Sequence, residues 1–164
     1  PGLRAVHRLD RDTSGCLWFS RSETARAEAI ELFRANRVLK VYEAIVLGRF
    51  PQSECRMEEP IDGQPACTTV RRLRASDQAS HVRLTIETGR THQIRKHLLG
   101  AGFPIAGDKA YGTARSIGSE ARSVPRQMLH ALELEARFES GERLCARAPL
   151  PPDFRATLRR FKLE

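Results

Sequence analysis

Two short segments hold most of the side chains that could do chemistry. The first, residues 7–15, reads HRLDRDTSG and sets the carboxylates of Asp10 and Asp12 among arginines and a histidine, just before a glycine. A neighbouring guanidinium favours the ionised form of a carboxyl group, which can then act as a nucleophile or a general base. The alternative interpretation is a polar turn whose aspartates only accept local backbone N–H bonds.

The second segment, residues 88–97, reads TGRTHQIRKH and stands where a predicted strand turns into a predicted helix. Backbone N–H groups and arginines at such a junction collect anionic groups. On the helix, Ile94 and Leu98 share an apolar face, and Arg95 follows about 100° further round, at the edge of the buried side. Arg95 must therefore find a carboxylate, a phosphate or solvent. An ordinary solvated basic face is the alternative.

The composition bounds the class of protein. The chain has 164 residues, 40% of them apolar and 29% charged, which predicts one globular domain with its own hydrophobic core. No apolar run approaches the roughly 20 residues of a membrane helix, and no signal peptide opens the chain, so neither a membrane nor a secreted protein is expected. The net charge is +8, and only four of the 28 basic residues are lysines. Such an arginine-rich surface favours RNA or DNA as partner, and a basic surface without a partner is the alternative.

The cysteines and histidines give no sign of a metal site. The four cysteines include no C-x-x-C pair, and Cys16, Cys67 and Cys145 stand in apolar or strand-like runs that are typical of buried thiols. His92 and His97 are five residues apart, which puts them on different sides of a helix. We therefore expect neither a metal nor a disulfide framework, and the sparse cysteines indicate a reducing cytoplasm.

Periodicity and turn residues predict the elements that must position the two segments. Helices are predicted over residues 22–36, 91–101 and from 151 onward, and strands over 40–48, 66–73, 82–87, 130–138 and 144–148. Ser22 is a plausible N-cap of the first helix, Thr91 or a neighbour caps the second, and Phe154, Leu158 and Phe161 share the apolar face of the last. The segment 107–126, rich in Gly, Ser and Arg, is predicted to be a mobile loop.

These elements indicate an α+β fold with a mixed, mainly antiparallel sheet flanked by helices. The strand 40–48 is apolar on both faces, which predicts a central position, and the strand 144–148 is expected to pair with 130–138. The first chemical segment begins six residues after Pro1, and no Met opens the chain. We therefore expect a single catalytic domain over residues 1–164 that lacks N-terminal strands.

Four ordered motifs carry a resemblance to a known family. HRLDRDTSG (7–15), KVYEAIVLG (40–48), GRTHQIRKHL (89–98) and GFPIAGDKAYG (102–112) resemble the pseudouridine synthases of the RluA type. The stretches 128–131 and 148–154 are similar to that family's C-terminal strands, so the resemblance runs over essentially the whole chain. The resemblance implies a pseudouridine synthase fold and the isomerisation of uridines in structured ribosomal or transfer RNA, with no cofactor.

The resemblance also implies roles for individual residues. Asp10 matches the catalytic aspartate, Arg95 the arginine that forms a salt bridge to it, and Tyr42 the tyrosine that stacks on the target base. The residues expected to contact the substrate are Arg8, which fills the gap left by the everted nucleotide, Ile94, which lines the base pocket, Thr91 and His92. Asp12 falls at a variable position of the motif and is not expected to be a second catalytic carboxylate. Bracing of the turn is the alternative for His92, and a purely structural role as a core aromatic of the strand is the alternative for Tyr42.

Two other hypotheses remain open at this stage. A non-catalytic RNA-binding protein, such as an RNA chaperone, could retain the basic cleft without the chemistry. The chain could also be an inactive fragment of an enzyme. The segment 108–112 is interpreted as structural or as an RNA contact at the edge of the cleft, and the oligomeric state is left open.

Overall fold

A computed structural model describes residues 2–112 and 124–164, and within them two sheets and three helices form an α+β fold. The elements in chain order are β1 (Arg4–Ala5), β2 (Ser14–Gly15), β3 (Phe19–Ser20), α1 (Glu23–Arg34), β4 (Val38–Leu47), β5 (Glu54–Met57), β6 (Thr68–Ala75), β7 (Ala79–Ile86), α2 (Gln93–Gly100), β8 (Leu129–Arg137), β9 (Arg143–Arg147) and α3 (Pro152–Arg160).

The main sheet has seven strands in the order β2-β8-β4-β7-β6-β5, and β9 pairs with β8. The predicted central strand is confirmed, because β4 lies between β7 and β8 and is antiparallel to both. The predicted pairing of the last two strands is confirmed as well, with Leu134 opposite Ala146. Only β2 is parallel to its neighbour, with Ser14 opposite His130. The sheet is therefore mixed and mainly antiparallel, as predicted.

Apolar residues of the central strands form the core, and the helices close it. Ile45, Val46 and Leu84 are fully buried together with Leu98 of α2 and Phe154 of α3. The predicted apolar face of the last helix is confirmed, since Phe154, Leu158 and Phe161 are all buried. The side chain of Ser22 accepts a hydrogen bond from the backbone N–H of Ala25 at 3.2 Å, so it caps α1 as predicted. In the described part of the chain, no helix is long and apolar enough to cross a membrane.

Several expectations need correction. The N-cap position of α2 is occupied by His92, the neighbour of Thr91, but in a left-handed backbone conformation and without a side-chain capping bond. Cys145 is exposed because it lies on the edge strand β9, and Cys16 is only partly buried, so of the three thiols only Cys67 is buried as predicted. The short strands β1, β2, β3 and β5 were not predicted, since two to four residues carry too little periodicity.

The predicted mobile loop 107–126 lies partly outside the described residues. Its described beginning, residues 107–112, is an ordered turn, because the side chain of Asp108 accepts hydrogen bonds from the backbone N–H groups of Ala110 and Tyr111 at 3.0 Å each. At its described end, the side chain of Val124 is buried.

Candidate active site

A cavity of about 130 Å³ opens between the first motif, the middle of β4 and the turn before α2. Six of the seven residues expected in the site line it: Arg8, Asp10, Tyr42, Thr91, His92 and Ile94. The seventh, Arg95, does not line the cavity but donates a hydrogen bond to Asp10, which does. Asp10 and Arg95, 85 residues apart along the chain, therefore meet at one cavity.

The carboxylate of Asp10 faces the guanidinium of Arg95 at the wall of this cavity. The Nη1 of Arg95 donates a hydrogen bond to Oδ2 of Asp10 at 3.3 Å. The side chain of Asp10 is 23% exposed, whereas that of Arg95 is 7% exposed. Asp10 thus keeps carboxylate lone pairs open to the cavity while a buried cation lies beside it, which is what a nucleophile or base needs.

A second carboxylate, Asp108, is the stronger partner of Arg95. The Nε and Nη2 of Arg95 donate to the two oxygens of Asp108 at 2.7 and 2.9 Å, in a bidentate pair. The side chain of Asp108 is 1% exposed. Burial opposes its ionisation, but the bonds from Arg95 and from the amides of Tyr111 and Ala110 outweigh that effect and lower the pKa of Asp108. Bonding to Asp108 also raises the pKa of Arg95, which holds the guanidinium charged and fixed in orientation.

Tyr111 joins this pair to the cavity wall. The guanidinium carbon of Arg95 lies 4.7 Å from the centre of the Tyr111 ring, in a cation–π contact. The hydroxyl of Tyr111 is 2.9 Å from Nδ1 of His92, and His92 lines the cavity. Both readings of His92 therefore have a geometric basis: one ring edge braces the turn, and the residue also borders the cavity.

Tyr42 comes from β4, at the place where the pairing with β8 shifts by one residue. Val41 lies opposite Glu133 and Tyr42 opposite Ala131, which leaves Leu132 of β8 without an opposite residue on β4. Burial, with a smaller effect of the negative charge of Asp10, raises the pKa of Tyr42 to about 12. The phenol therefore keeps its proton at neutral pH and offers an aromatic face beside Asp10.

Two glycines allow the close approaches on which the site depends. At Gly15, with φ of +119°, a Cβ atom would lie 2.1 Å from the carbonyl oxygen of Ala131, so a side chain there would separate β2 from β8. At Gly107, with φ of +76°, a Cβ atom would lie 2.0 Å from the carbonyl oxygen of Arg126. Gly15 thus lets the Asp10 turn approach β8, and Gly107 lets the Asp108 turn approach the backbone of Arg126.

Gln93 shapes the turn that precedes α2. Its Oε1 accepts hydrogen bonds from the hydroxyl of Thr88 at 2.8 Å and from the backbone N–H of Arg90 at 3.0 Å. Its Nε2 donates to the carbonyl oxygen of Cys67 and to the hydroxyl of Thr68. These four hydrogen bonds hold the second motif against the start of β6. Residues of that motif thereby border the cavity.

His7 and Asp12, two of the polar residues of the first motif, do not line the cavity. His7 accepts a hydrogen bond from the backbone N–H of Trp18 at 3.0 Å and stacks on Phe33, and its burial lowers the pKa of the imidazole. Asp12 is exposed, with φ of +69°, and its backbone carbonyl oxygen accepts a hydrogen bond from Arg126. His7 is therefore structural, and Asp12 contributes backbone geometry at the turn.

Sequence reasoning missed the roles of Asp108 and Arg126. A signal for Asp108 was present, because a helix-edge arginine needs a carboxylate and Asp108 follows an apolar stretch that ends at Gly107. Arg126 donates to Asp153, Ser14 and three backbone carbonyl oxygens. No spacing rule indicates the contacts with Asp12, Ser14 and Asp153, because Asp12 and Ser14 lie more than 110 residues away and Asp153 lies in another element.

Other charged clusters in the described residues lie away from the cavity. Glu43 is buried and pairs with His81 at 2.8 Å and with Arg83 at 2.7 Å. Burial opposes its ionisation, but these bonds outweigh it and lower the pKa of Glu43. The ligand atoms of Glu133, Glu135 and Cys145 lie within 4.8 Å of one another, but Glu135 is already paired with Arg143 at 2.6 Å.

Comparison with known proteins agrees with this geometry. The model of the family described as RNA pseudouridylate synthase matches residues 1–99, which include the Asp10, Tyr42 and Arg95 motifs. The chain therefore belongs to the RNA pseudouridylate synthase family.

Individual relatives place the chain more closely. It is 39% identical over 99% of its length to an uncharacterized RNA pseudouridine synthase of Chloroflexus aurantiacus and 37% identical over 99% to the ribosomal large subunit pseudouridine synthase D of Nitrosomonas europaea. The chain covers 54% and 52% of these relatives, so it spans about half the length of the curated relatives it matches.

Solved structures show the same fold. Human RNA pseudouridylate synthase domain containing 1 superposes with a TM-score of 0.83 at 30% identity, over 95% of this chain and 73% of that one. Human RNA pseudouridylate synthase domain containing 4 gives a TM-score of 0.84 at 26% identity, over 99% of this chain and 77% of that one. The expected pseudouridine synthase fold is thereby confirmed.

Proposed function

We propose that this protein isomerises specific uridines of structured RNA to pseudouridine, with Asp10 as the catalytic carboxylate. The observation that supports this most directly is the position of Asp10: partly exposed at the wall of a cavity and hydrogen-bonded at 3.3 Å to the buried Arg95. Membership of the family supports the reaction class.

The reaction is balanced without a cofactor. The bond between N1 of uracil and C1′ of the ribose breaks, the base turns, and a bond forms between C5 and C1′. C5 loses its proton to solvent and N1 gains one, so nothing is oxidised or reduced. The ionised carboxylate of Asp10 can attack C1′, add to C6 of the base, or assist proton removal at C2′. Arg95 donates a hydrogen bond to that carboxylate and so orients it in each route.

The other cavity residues suit an everted base. Taking a nucleotide out of its stack costs a few kcal/mol, and stacking on an aromatic ring offsets about 1–3 kcal/mol of this. Tyr42 supplies that ring, and Ile94 a buried apolar contact. Arg8 is exposed at the rim, where it can occupy the space that the uridine leaves. Thr91 and His92 complete the rim on the α2 side.

The substrate we propose first is ribosomal RNA of the large subunit. Relatives that share 32–37% identity with the chain are named ribosomal large subunit pseudouridine synthase D. Transfer RNA is the second candidate, because the cavity requires only an everted uridine and a polyanionic backbone. Either substrate would place the reaction in the cytoplasm. The arginine-rich composition supports RNA as the partner.

The test is an isomerisation assay with a binding control. RNA carrying tritium at C5 of uridine releases the label to water as C5 bonds to C1′, so label release counts turnovers. We expect release with large-subunit ribosomal RNA and at least about a thousandfold slower release by Asp10→Asn, with RNA affinity within about threefold. A chain that binds RNA and releases no label contradicts the proposal and supports a binding protein or an inactive piece of an enzyme.

A further inference from the structure

Arg126 lies at the centre of a network outside the cavity. Its Nε and Nη2 donate to the two oxygens of Asp153, in α3, at 2.7 and 3.1 Å. Its Nη1 donates to the carbonyl oxygen of Asp12 at 2.9 Å, and its Nη2 also donates to the hydroxyl of Ser14 at 3.1 Å. The side chain is 18% exposed. One guanidinium therefore joins the first motif to the last helix.

The next residue holds the other half of the same turn. Gln127 is buried, and its Nε2 donates to the carbonyl oxygen of Arg11 at 3.0 Å and to the hydroxyl of Thr13 at 2.7 Å. Within the turn, the backbone N–H of Thr13 donates to the carbonyl oxygen of Asp10 at 3.0 Å. Residues 11–14 are thus each held by Arg126 or Gln127.

The network continues behind Ser14. The hydroxyl of Ser14 is 2.9 Å from Nδ1 of His130, and Nε2 of His130 is 3.1 Å from the carbonyl oxygen of Ala148. His130 is buried and also packs against Phe154 of α3. The turn that carries Asp10 is therefore connected to α3 by Arg126 and Asp153 and by the contacts of His130.

The support of the turn matters because few hydrogen bonds of its own hold the side chain of Asp10. Within the described residues, its side chain makes one hydrogen bond, the 3.3 Å bond from Arg95. The direction of its carboxylate is consequently set by the backbone of residues 10–14. A displacement of about 1 Å at a reacting group can reduce a rate about a hundredfold.

We infer that Arg126 is a positioning residue for the reaction, which fixes the backbone of the Asp10 turn against α3 through Asp153. The inference rests on the proposed function for its effect on rate. Arg126 does not line the cavity and is not expected to touch the RNA base. Its fork geometry is essential, because a lysine in its place could not make the bidentate contact with Asp153 and reach the turn as well.

The experiment compares three variants of the full chain. Arg126→Lys keeps the charge and removes the fork, Asp153→Asn removes the acidic partner, and Arg155→Lys is the matched control. Arg155 is exposed on α3, and the described part of the chain shows no side-chain hydrogen bond or ion pair for it. Label release gives kcat and KM, thermal melting gives stability, and amide exchange is followed at Thr13.

We expect Arg126→Lys to lower kcat by about 10- to 100-fold with KM within about threefold, and to accelerate exchange of the Thr13 amide. Asp153→Asn should do the same to a smaller extent, and Arg155→Lys should match the wild type. A kcat within twofold of the wild type with unchanged Thr13 exchange overturns the inference, as does a loss that falls wholly in KM. Wild-type protein that releases no label contradicts the proposed function instead, and the Thr13 exchange then decides whether Arg126 positions the turn.

Discussion

Two clusters of carboxylates and arginines lie beside neighbouring residues of β4. They differ in whether a carboxylate is left open to a cavity. Next to Tyr42, the strand turns the side chain of Glu43 to the opposite face, where His81 and Arg83 bond both carboxylate oxygens. On the face of Tyr42, Arg95 is shared by Asp108, which is saturated and buried, and by Asp10, which makes one bond of 3.3 Å and opens to the cavity.

The difference shows what marks the candidate site. Glu43 and Asp108 both have a lowered pKa and an arginine partner, and neither borders the cavity. A perturbed carboxylate therefore does not by itself indicate chemistry, since structural ion pairs have the same property. What distinguishes Asp10 is an incomplete set of hydrogen bonds beside a buried cation. Asp108 holds the guanidinium of Arg95 in place, and Asp10 is the carboxylate that borders the cavity.

Removing the arginine from each cluster should give the largest contrast. Arg95→Gln leaves the buried Asp108 without its cation, so we expect a loss of about 3–5 kcal/mol in the free energy of unfolding and at least about a hundredfold slower label release. Arg83→Gln leaves Glu43 with His81, and Arg83 is one-third exposed; we expect a loss of about 1 kcal/mol or less and an unchanged rate. Urea unfolding and single-turnover label release measure both effects.

If Arg95→Gln fails to fold, Arg95→Lys is measured in its place, because lysine retains the charge but lacks the planar guanidinium that binds two carboxylate oxygens at once. Equal rate losses in Arg95→Lys and Arg83→Lys would contradict the assignment of the two clusters.

The aromatic wall of the cavity should separate stacking from hydrogen bonding. Tyr42→Ala removes a ring worth about 1–3 kcal/mol of base stacking, so we expect label release to slow by about 10- to 100-fold. Tyr42→Phe keeps the ring and should remain within about threefold of the wild type. If Tyr42→Phe loses as much as Tyr42→Ala, the hydroxyl rather than the ring is what the reaction needs.

The two saturated carboxylates should respond differently to neutralisation. Asp108→Asn weakens the clamp on Arg95, and we expect label release about tenfold slower with RNA affinity unchanged. Glu43→Gln is its matched control, with about 1–2 kcal/mol less stability and a rate within about twofold. Rates and urea unfolding curves for the two variants decide this. A slower reaction in Glu43→Gln would show that the two faces of the sheet are coupled.

Lowering the pH should remove the contribution of the same ion pairs to the stability of the fold, and this effect should be small. The folded-state pKa of Glu43 lies below its ordinary value of 4.5 and that of Asp108 below 3.8. Each pair therefore stabilises the fold above these values and loses its contribution as pH falls through the folded-state pKa. We expect the difference in melting temperature between wild type and Glu43→Gln to be constant near neutral pH and to shrink below about pH 4. A difference that grows with acidification would contradict the assigned direction.

The longer helices and strands of the fold were predicted from the sequence, and the shortest strands were not. The helices at residues 22–36 and from 151 onward, and the strand 130–138, were predicted because eight or more residues share one period and the caps agree. β2 and β5 were missed because strands this short show no alternating pattern. They form by pairing with β8 and β6, respectively. Cys145 was placed in the core because alternation along a strand does not tell an edge strand from a covered one.

The candidate site was predictable only in part. The two motifs gave Asp10 and Arg95, and the resemblance added Tyr42, Ile94 and Arg8, all of which lie at or beside the cavity. Their catalytic and binding roles stay predictions until the variants are measured. The supporting groups were missed. Asp108 carried only the indirect signal of a helix-edge arginine that needs a carboxylate, and the contacts of Arg126 with Asp12 and Ser14 join segments that no local pattern relates. Thr91 was a candidate cap, yet the left-handed His92 takes that position.

The most direct test of the central claim is the structure of the Asp10→Asn variant bound to an RNA stem–loop that contains the target uridine. We predict that the uridine is everted, that its base stacks on Tyr42, and that the side chain at position 10 lies within about 3.5 Å of the ribose C1′ or the base C6. A uridine that stays stacked in the RNA, or one that binds beside Glu43 and Arg83 on the other face of the sheet, would contradict the account.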